Sequence, residues 1–417
     1  MLVSGLFPPR TIPPVNTARR PVVTVLVFAA LIVGVSMGIR HTFGFFLGPM
    51  TRDLGWTREL FGFAIAVQNL MWGACQPFAG LLADRYGARR VLWAGSLIYV
   101  CGLVGMAYSS TGTGLTATAG LLIGMAQSGV TYAVVFSAIG RLVPAERRSW
   151  SMGVVAASGS FGQFLMVPAM SGLINGIGWF GTLLIMAGLA FTIVPLGAAL
   201  TRGLGPSSAA GAGQSVREAL REAFGERSFL LLTAGYFVCG FQLAFIGIHG
   251  PTYMADKGLP AYVAPITLAL VGLFNIFGTY ASGHLATRFP KRYVLSGIYF
   301  SRSVAIVLFL AAPVSPWATY LFGAAMGVLW LSTIPPTSSI IAQVFGVRYL
   351  GMLTGFAFFS HQMGSFLGVW LGGRLFDATG SYDVVWGLCI ALGVFAALVN
   401  LPIDERSIES RRLAPAA

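Results

Sequence analysis

Gly80-Leu81-Leu82-Ala83-Asp84-Arg85-Tyr86-Gly87-Ala88-Arg89-Arg90 closes one long apolar run and opens the next. An acid, a helix-ending glycine and three arginines are concentrated in a turn between two runs of membrane length. A diverged copy, Gly283-His284-Leu285-Ala286-Thr287-Arg288-Phe289-Pro290-Lys291-Arg292, recurs later. Asp84 and Thr287 correspond at a shift of 203 positions, about half of the 417-residue chain. The pattern describes a duplicated chain in which each half carries this turn between its second and third apolar runs.

Composition sets the solvent. Hydrophobic residues make up 56% of the chain and charged residues 9%, against roughly 25% charged in a soluble domain. A polytopic membrane protein follows. The 54 glycines suit close helix contact in lipid, where small residues let backbones approach. The net charge of +13 is topological rather than a nucleic-acid signal, because the basic residues sit in short loops between apolar runs. Cys75, Cys101, Cys239 and Cys389 lie singly in apolar runs, with neither metal nor redox spacing, and are expected as free thiols.

A transmembrane helix needs about 20 apolar residues. Twelve spans are predicted: 22–49, 59–83, 91–108, 114–140, 150–174, 179–200, 229–254, 261–286, 293–312, 317–343, 350–376 and 384–402. Residues 201–228 form the one long polar interruption and are read as a cytoplasmic linker between six-helix halves 22–200 and 229–402. Residues 1–21 and 403–417 are read as cytoplasmic tails. The N-terminal tail is Pro-rich and lacks the apolar core of a signal peptide. With the N-terminus inside, 20 of the 26 basic residues fall in inner segments, and only Arg52, Arg58 and Lys257 fall outside. The positive-inside rule therefore places both termini in the cytoplasm.

The duplication extends beyond the opening stretch. Gly48-Pro49-Met50 pairs with Gly250-Pro251-Thr252, and the basic turn Arg141–Arg148 before Gly153 pairs with Val347-Arg348-Tyr349-Leu350-Gly351 before Gly355. Two parallel halves imply a site near the midplane, between the repeats.

Gly80–Arg90 resembles the loop motif of the major facilitator superfamily, Gly-x-Leu-Ala-Asp-Arg-x-Gly-Arg-Arg, and the resemblance covers the whole chain. It implies an all-α membrane protein of twelve transmembrane helices in two parallel six-helix repeats. Phe43-Gly44-Phe45-Phe46-Leu47-Gly48-Pro49-Met50 with Leu54-Gly55-Trp56, and Gly372-Gly373-Arg374-Leu375-Phe376-Asp377-Ala378-Thr379-Gly380-Ser381-Tyr382, look like the bacterial oxalate–formate and monocarboxylate transporter branch. In the animal monocarboxylate transporters a lysine of the first helix precedes a similar Phe-Phe pair, and Arg40 holds that place before Phe45-Phe46. That family also carries an Asp and an Arg in the eighth helix. Counted back from Gly283, those places are Asn275 and Thr279 here.

Ionisable residues inside a bilayer cost at least ~2.5–3.5 kcal/mol at a helix centre, and each is a candidate functional group. None of the thirteen acids falls mid-span, whereas Arg40, His41, His249, Arg302, His361 and Arg374 lie within apolar runs. Such a lining suits an anion. Arg40 can grip a carboxylate with two parallel hydrogen bonds. His361, about eleven residues into the eleventh span, can donate to an anion or carry a coupled proton. Tyr132, Asn275, Gln127, Gln242 and Trp330 complete the expected binding set. Gln68, Asn69 and Gln163 are further polar residues in apolar runs, and any of these can instead bond neighbouring helices. Arg302 is expected to support packing between helices. Arg374 is expected to pair with Asp377 at i,i+3, and His249 to serve as an outer-gate residue or a plain interface donor. Gly80, Asp84, Arg85, Gly87, Arg89 and Arg90 form the expected gating motif, with Asp84 locking the closed packing through an Arg such as Arg148.

No Walker-type phosphate loop, metal cluster or nucleophile–base pair occurs at recognisable spacing. The expectation is a transporter and not an enzyme: a monomer in a lipid bilayer, the bacterial inner membrane, without cofactor, bound metal or nucleic acid. It would carry a small organic anion, expected to be a monocarboxylate, by proton symport or anion exchange. The rival readings are an exporter of an amphipathic or drug-like compound and a membrane sensor that keeps the fold without transporting.

Overall fold

The computed structural model describes residues 22–202, 216–346 and 350–408. The tail 1–21, residues 203–215 of the linker, residues 347–349 of the second half's basic turn and residues 409–417 lie outside that set.

Apolar runs of membrane length can satisfy their backbone in lipid only as helices, and helices are what form. In order they are α1 Val22–Arg40, α2 Gly44–Leu54, α3 Arg58–Tyr86, α4 Ala88–Tyr108, α5 Gly112–Leu115, a π-helical segment Thr116–Leu122, α6 Ile123–Val130, α7 Tyr132–Leu142, α8 Ala145–Phe191 and α9 Ile193–Leu200. The second half runs α10 Val216–Gly225, α11 Arg227–Asp256, α12 Val263–Arg288, α13 Lys291–Ala311, α14 Pro316–Leu329, α15 Ile334–Phe345, α16 Leu350–Thr379 and α17 Asp383–Asn400. They make up the twelve spans. The fifth and sixth meet at Gly178, whose φ of 81° breaks α8 into two. Gly87, at φ 91°, ends α3 and starts α4 within the opening motif; only glycine adopts that conformation without strain.

Among the described residues nine helices are long and apolar enough to cross a membrane. One of them, Trp150–Leu200, has the length of two spans. The more polar α3 and α16 stand outside the nine. These two pack against each other along the contact between the halves, where polar residues meet protein rather than lipid.

Four predicted spans are interrupted, the sixth only at the single turn residue Thr192 between α8 and α9. The first bends at residues 41–43, between α1 and α2. The fourth breaks at Thr131, whose φ/ψ of −107°/−161° ends α6 and restarts the chain as α7. The tenth breaks between Leu329 and Ile334, just ahead of Pro335-Pro336, which lack the N–H groups an unbroken helix needs. Hydropathy counts apolar residues and is blind to such breaks. Thr131 and Ile334 are related by the same shift of 203, so the fourth and tenth spans break at equivalent places.

Candidate functional site

Arg40 is the last residue of α1. Its Nη2 donates to Asn69 Oδ1 at 2.8 Å, and its guanidinium lies 4.4 Å from the centroid of the Trp72 ring. Asn69 is held by its own amide, which donates to the Ile65 carbonyl at 2.9 Å. Tyr99 of α4 and Tyr132 at the start of α7 lie within electrostatic reach of Arg40. Gln127 stands beside Tyr99. Trp72 Nε1, the Tyr99 hydroxyl, both amide atoms of Gln127 and the Thr131 hydroxyl are buried without a hydrogen-bond partner among the described residues. Buried polar groups are nearly always paired with protein or water. A guanidinium beside the uncommitted Trp72 and Tyr99 donors is therefore an arrangement suited to a small anion.

The second half carries a matching cluster. At the shift of 203, Arg302 falls on Tyr99 and Trp330 on Gln127. Arg302 Nε and Nη2 donate to the Leu329 carbonyl at 3.1 and 2.6 Å, and Nη2 reaches the Trp330 carbonyl at 2.6 Å. Those carbonyls are the open end of α14. Cys239 Sγ is 3.4 Å from Thr333 Oγ1 and adjoins His361. The His361 ring stacks on Phe358 at 5.9 Å and lies 5.0 Å from Tyr236, with Nδ1 at 3.1 Å from Gln362 Oε1.

Of the predicted binding residues, Arg40, Tyr132 and Gln127 come together in the first half, and His361 and Trp330 in the second. Asn275 uses both sides of its amide in bonds to the framework, while Gln242 uses one, its Oε1 being buried without a partner among the described residues. Asn275 Nδ2 donates to Ser160 Oγ at 2.7 Å, and its Oδ1 accepts from the Leu331 N–H at 2.9 Å and from Thr279 Oγ1 at 3.2 Å. Gln242 Nε2 donates to the Cys389 carbonyl at 2.8 Å, turning toward α17. Gln68 bonds the Ala119 carbonyl in the π-helical segment at 2.9 Å. Gln163 bonds the Leu268 carbonyl across the halves at 3.0 Å. Tyr99, Thr131, Trp72 and Cys239 escaped the sequence reading, although the repeat shift would have led from Arg302 to Tyr99.

The expected gating motif forms a tight corner. Gly80 lies within α3, the Gly87 N–H closes on the Ala83 carbonyl at 3.0 Å, and Arg90 follows in α4. Arg85 lies over Tyr86 at 5.3 Å and Arg89 over Trp93 at 4.4 Å. The side chain of Asp84 lies outside the described residues, while Arg148 Nε donates to the Val143 carbonyl at 3.0 Å.

At the opposite end the halves are latched. Arg58 pairs with Asp256 at 2.5 Å, and Arg374 with Glu59 at 3.0 Å. The expected Arg374–Asp377 pair is replaced. Asp377 instead accepts the Arg58 and Glu59 backbone N–H groups at 3.2 and 2.6 Å, so a carboxylate from one half caps the first turn of a helix from the other. The exposed N–H groups and positive end of that helix draw it there. His249 Nε2 donates to the Val369 carbonyl at 2.8 Å, and its Nδ1 lies 3.2 Å from the Tyr382 hydroxyl, which takes a hydrogen from Arg58 at 3.0 Å. A carbonyl only accepts, so Nε2 carries the ring hydrogen.

Residues 26–369 match the Major Facilitator Superfamily. The "Uncharacterized MFS-type transporter YcxA" of Bacillus subtilis (strain 168) is 25% identical over 383 residues, covering 87% of this chain and 90% of its own length. "Monocarboxylate transporter 11" of Mus musculus is 27% identical, covering 85% and 81%. "Monocarboxylate transporter 13" of Bos taurus is 24% identical, covering 90% and 87%. Among solved structures, an inward-facing bacterial homologue of the human lysosomal transporter Spinster superposes with a TM-score of 0.74 at 14% identity, covering 95% of this chain and all of that one. A D-xylose–proton symporter superposes at 0.71 and 15% identity, covering 93% and 99%. These last two speak for the fold alone.

Proposed function

The chain belongs to the major facilitator superfamily, and we propose that it is a secondary active transporter of a small, carboxylate-bearing organic anion. The observation that carries this reading is Arg40, set beside the buried Trp72 and Tyr99 donors, which have no partner among the described residues, in a chain with no acid mid-span. A cation carrier of this design would need a membrane carboxylate. An anion needs what is here: a planar double donor with further N–H and O–H groups around it. The similar proteins named monocarboxylate transporters support putting carboxylates first.

Transport proceeds by rocking of the two halves about this midplane site. The latch at Arg58, Glu59, Asp256, Arg374 and Asp377 opens when access changes sides, and the Gly80–Arg90 corner with Arg148 works at the other end. His361 is the candidate for a coupled proton. The protein sits in a cell membrane, the bacterial inner membrane, as a monomer with both termini cytoplasmic.

Uptake into proteoliposomes from a panel of carboxylates, with and without a pH gradient, tests this. Saturable uptake of a carboxylate is expected. If neutral or amphipathic compounds compete and no anion does, the exporter reading replaces it. Binding without movement across sealed vesicles points to a sensor.

A further inference from the structure

α12 packs mainly on α14 and α13 mainly on α17, so these consecutive helices share little contact with each other. Between them lies a groove of about 400 Å³, walled by Gly278, Leu285 and Phe289 of α12, Tyr293 and Gly297 of α13 and Val328 of α14. That volume is in the range of a ligand site. Small residues keep it open. A methyl group on Gly278 would run into the Val328 carbonyl, so α12 and α14 touch there, whereas one on Gly297 would meet nothing within 4 Å. At the shift of 203, Ala281 of this wall falls on Phe78 and Gly297 on Ala94, so the second half carries the smaller residues. At 1.5 Å per residue the stretch from Gly278 to Phe289 is about 16 Å long, half of a hydrocarbon core about 30 Å thick.

The turn at the mouth of the groove is basic. In Gly283–Arg292 the acid of the opening motif is replaced by Thr287, while Arg288, Lys291 and Arg292 remain. Lys291 pairs with Glu405 at 3.6 Å. Arg292 is held by neutral oxygens, donating to the Ile403 carbonyl at 3.2 Å and to the Tyr293 hydroxyl at 3.3 Å, with its guanidinium 4.8 Å from the centroid of the Tyr293 ring. Tyr293 lines the groove, so Arg292 stands at its edge. Arg288 ends α12 next to Phe289 and makes no ion pair among the described residues.

We propose that this groove is a lipid site, taking one acyl chain of an anionic phospholipid whose phosphate is held by Arg288 and Arg292. Leu285, Phe289 and Tyr293 are exposed side chains on membrane-spanning helices, so the groove opens to the bilayer. Its length is that of a chain in one leaflet, and its basic end is where that leaflet's phosphates lie. Basic residues at that depth attract anionic headgroups. The deep end abuts the break of the tenth span. Val328 lines the groove, and Arg302, one turn beyond Ile298 of the same wall, holds the Leu329 carbonyl at 2.6 Å. A chain in the groove therefore backs the wall of the second-half cluster.

The test is lipid retention by the purified, delipidated full chain in detergent, counted by native mass spectrometry alongside the thermal midpoint. The probes are phosphatidylglycerol and phosphatidylcholine with the same acyl chains. One phosphatidylglycerol is expected to be retained at about a tenfold lower concentration than phosphatidylcholine, with a rise in the midpoint. Arg288→Gln should reduce that preference, and adding Arg292→Gln should remove it. Gly297→Leu, which fills the groove, should remove the retained lipid without lowering the midpoint of the lipid-free protein. Equal retention of the two lipids by the wild type overturns the proposal, and that comparison holds even if the variants fail to fold. So does a phosphatidylglycerol preference that survives Gly297→Leu, which would rest on surface charge alone. Equal stabilisation by glycerol phosphate, which has no chain, also overturns it, as does a dimer formed in place of lipid retention, which would give the groove to a second copy.

Discussion

Arg40 owes its position to two residues on one face of α3. Asn69 and Trp72 are three apart, so both point the same way, one accepting a hydrogen bond from the guanidinium and the other lying under its plane. Arg40→Gln keeps a donor but loses the charge and the stacking. Carboxylate uptake is expected to fall at least about tenfold, as for a lost charge-assisted contact, with folded protein at wild-type levels in size-exclusion chromatography. Unchanged affinity removes Arg40 from the site. Asn275 is the opposite case. Its amide is bonded to Ser160, Leu331 and Thr279, so Asn275→Ala should lower the thermal midpoint in detergent. Interhelical hydrogen bonds in membranes average about 0.6 kcal/mol, which makes the total loss roughly 1–2 kcal/mol. The half-saturating substrate concentration of the surviving protein should stay within about twofold; a larger rise would make Asn275 a ligand.

Helices α3 and α16 meet without side chains between them at several points. A methyl group on Gly373 would lie 2.5 Å from the Arg58 carbonyl oxygen, and one on Gly62 would lie 3.0 Å from that of Val369. Gly373→Ala therefore forces the two helix ends apart just where the latch forms. Asp377→Asn leaves the packing intact and removes the charge that holds the first turn of α3, a contact of about 1 kcal/mol. Both substitutions are expected to loosen this end. Spin labels placed on the two halves there should show a longer or broader distance distribution than in the wild type. An unaltered distribution for both would mean that packing elsewhere holds the halves and the latch is incidental. Within the second half, α11 and α16 are pressed together at Gly240, Gly364 and Gly368, where an added methyl would run into the His361, Phe237 and Phe241 carbonyls. This close contact is what brings Cys239 and His361 side by side.

For the whole molecule, the basic-residue asymmetry predicts which loops face which side. A cysteine at Lys257 is expected to react with a membrane-impermeant thiol reagent in intact cells, and one at Arg288 only after permeabilisation; the reverse pattern would invert the orientation. Fold and repeat were legible in the sequence, because burying backbone in lipid allows one solution per apolar run and the Gly80–Arg90 turn with its copy marks where the halves correspond. The candidate site was legible in part. Arg40 and His361 stood out because charge in an apolar run is costly wherever the run lies. The shared polar residues did not sort themselves, because Gln127 and Gln242 look alike along the chain, yet one faces the Arg40 cluster and the other faces α17. Arg374 and Asp377 are one helical turn apart and invited a local pair, but the partners that win belong to the other half. Sequence spacing alone determined the helices and their order, since those depend on local hydropathy. Tertiary structure alone decided which polar atoms are left without partners, and so which of them are free to bind, because hydrogen bonds are satisfied by neighbours that the chain brings in from a hundred or more residues away.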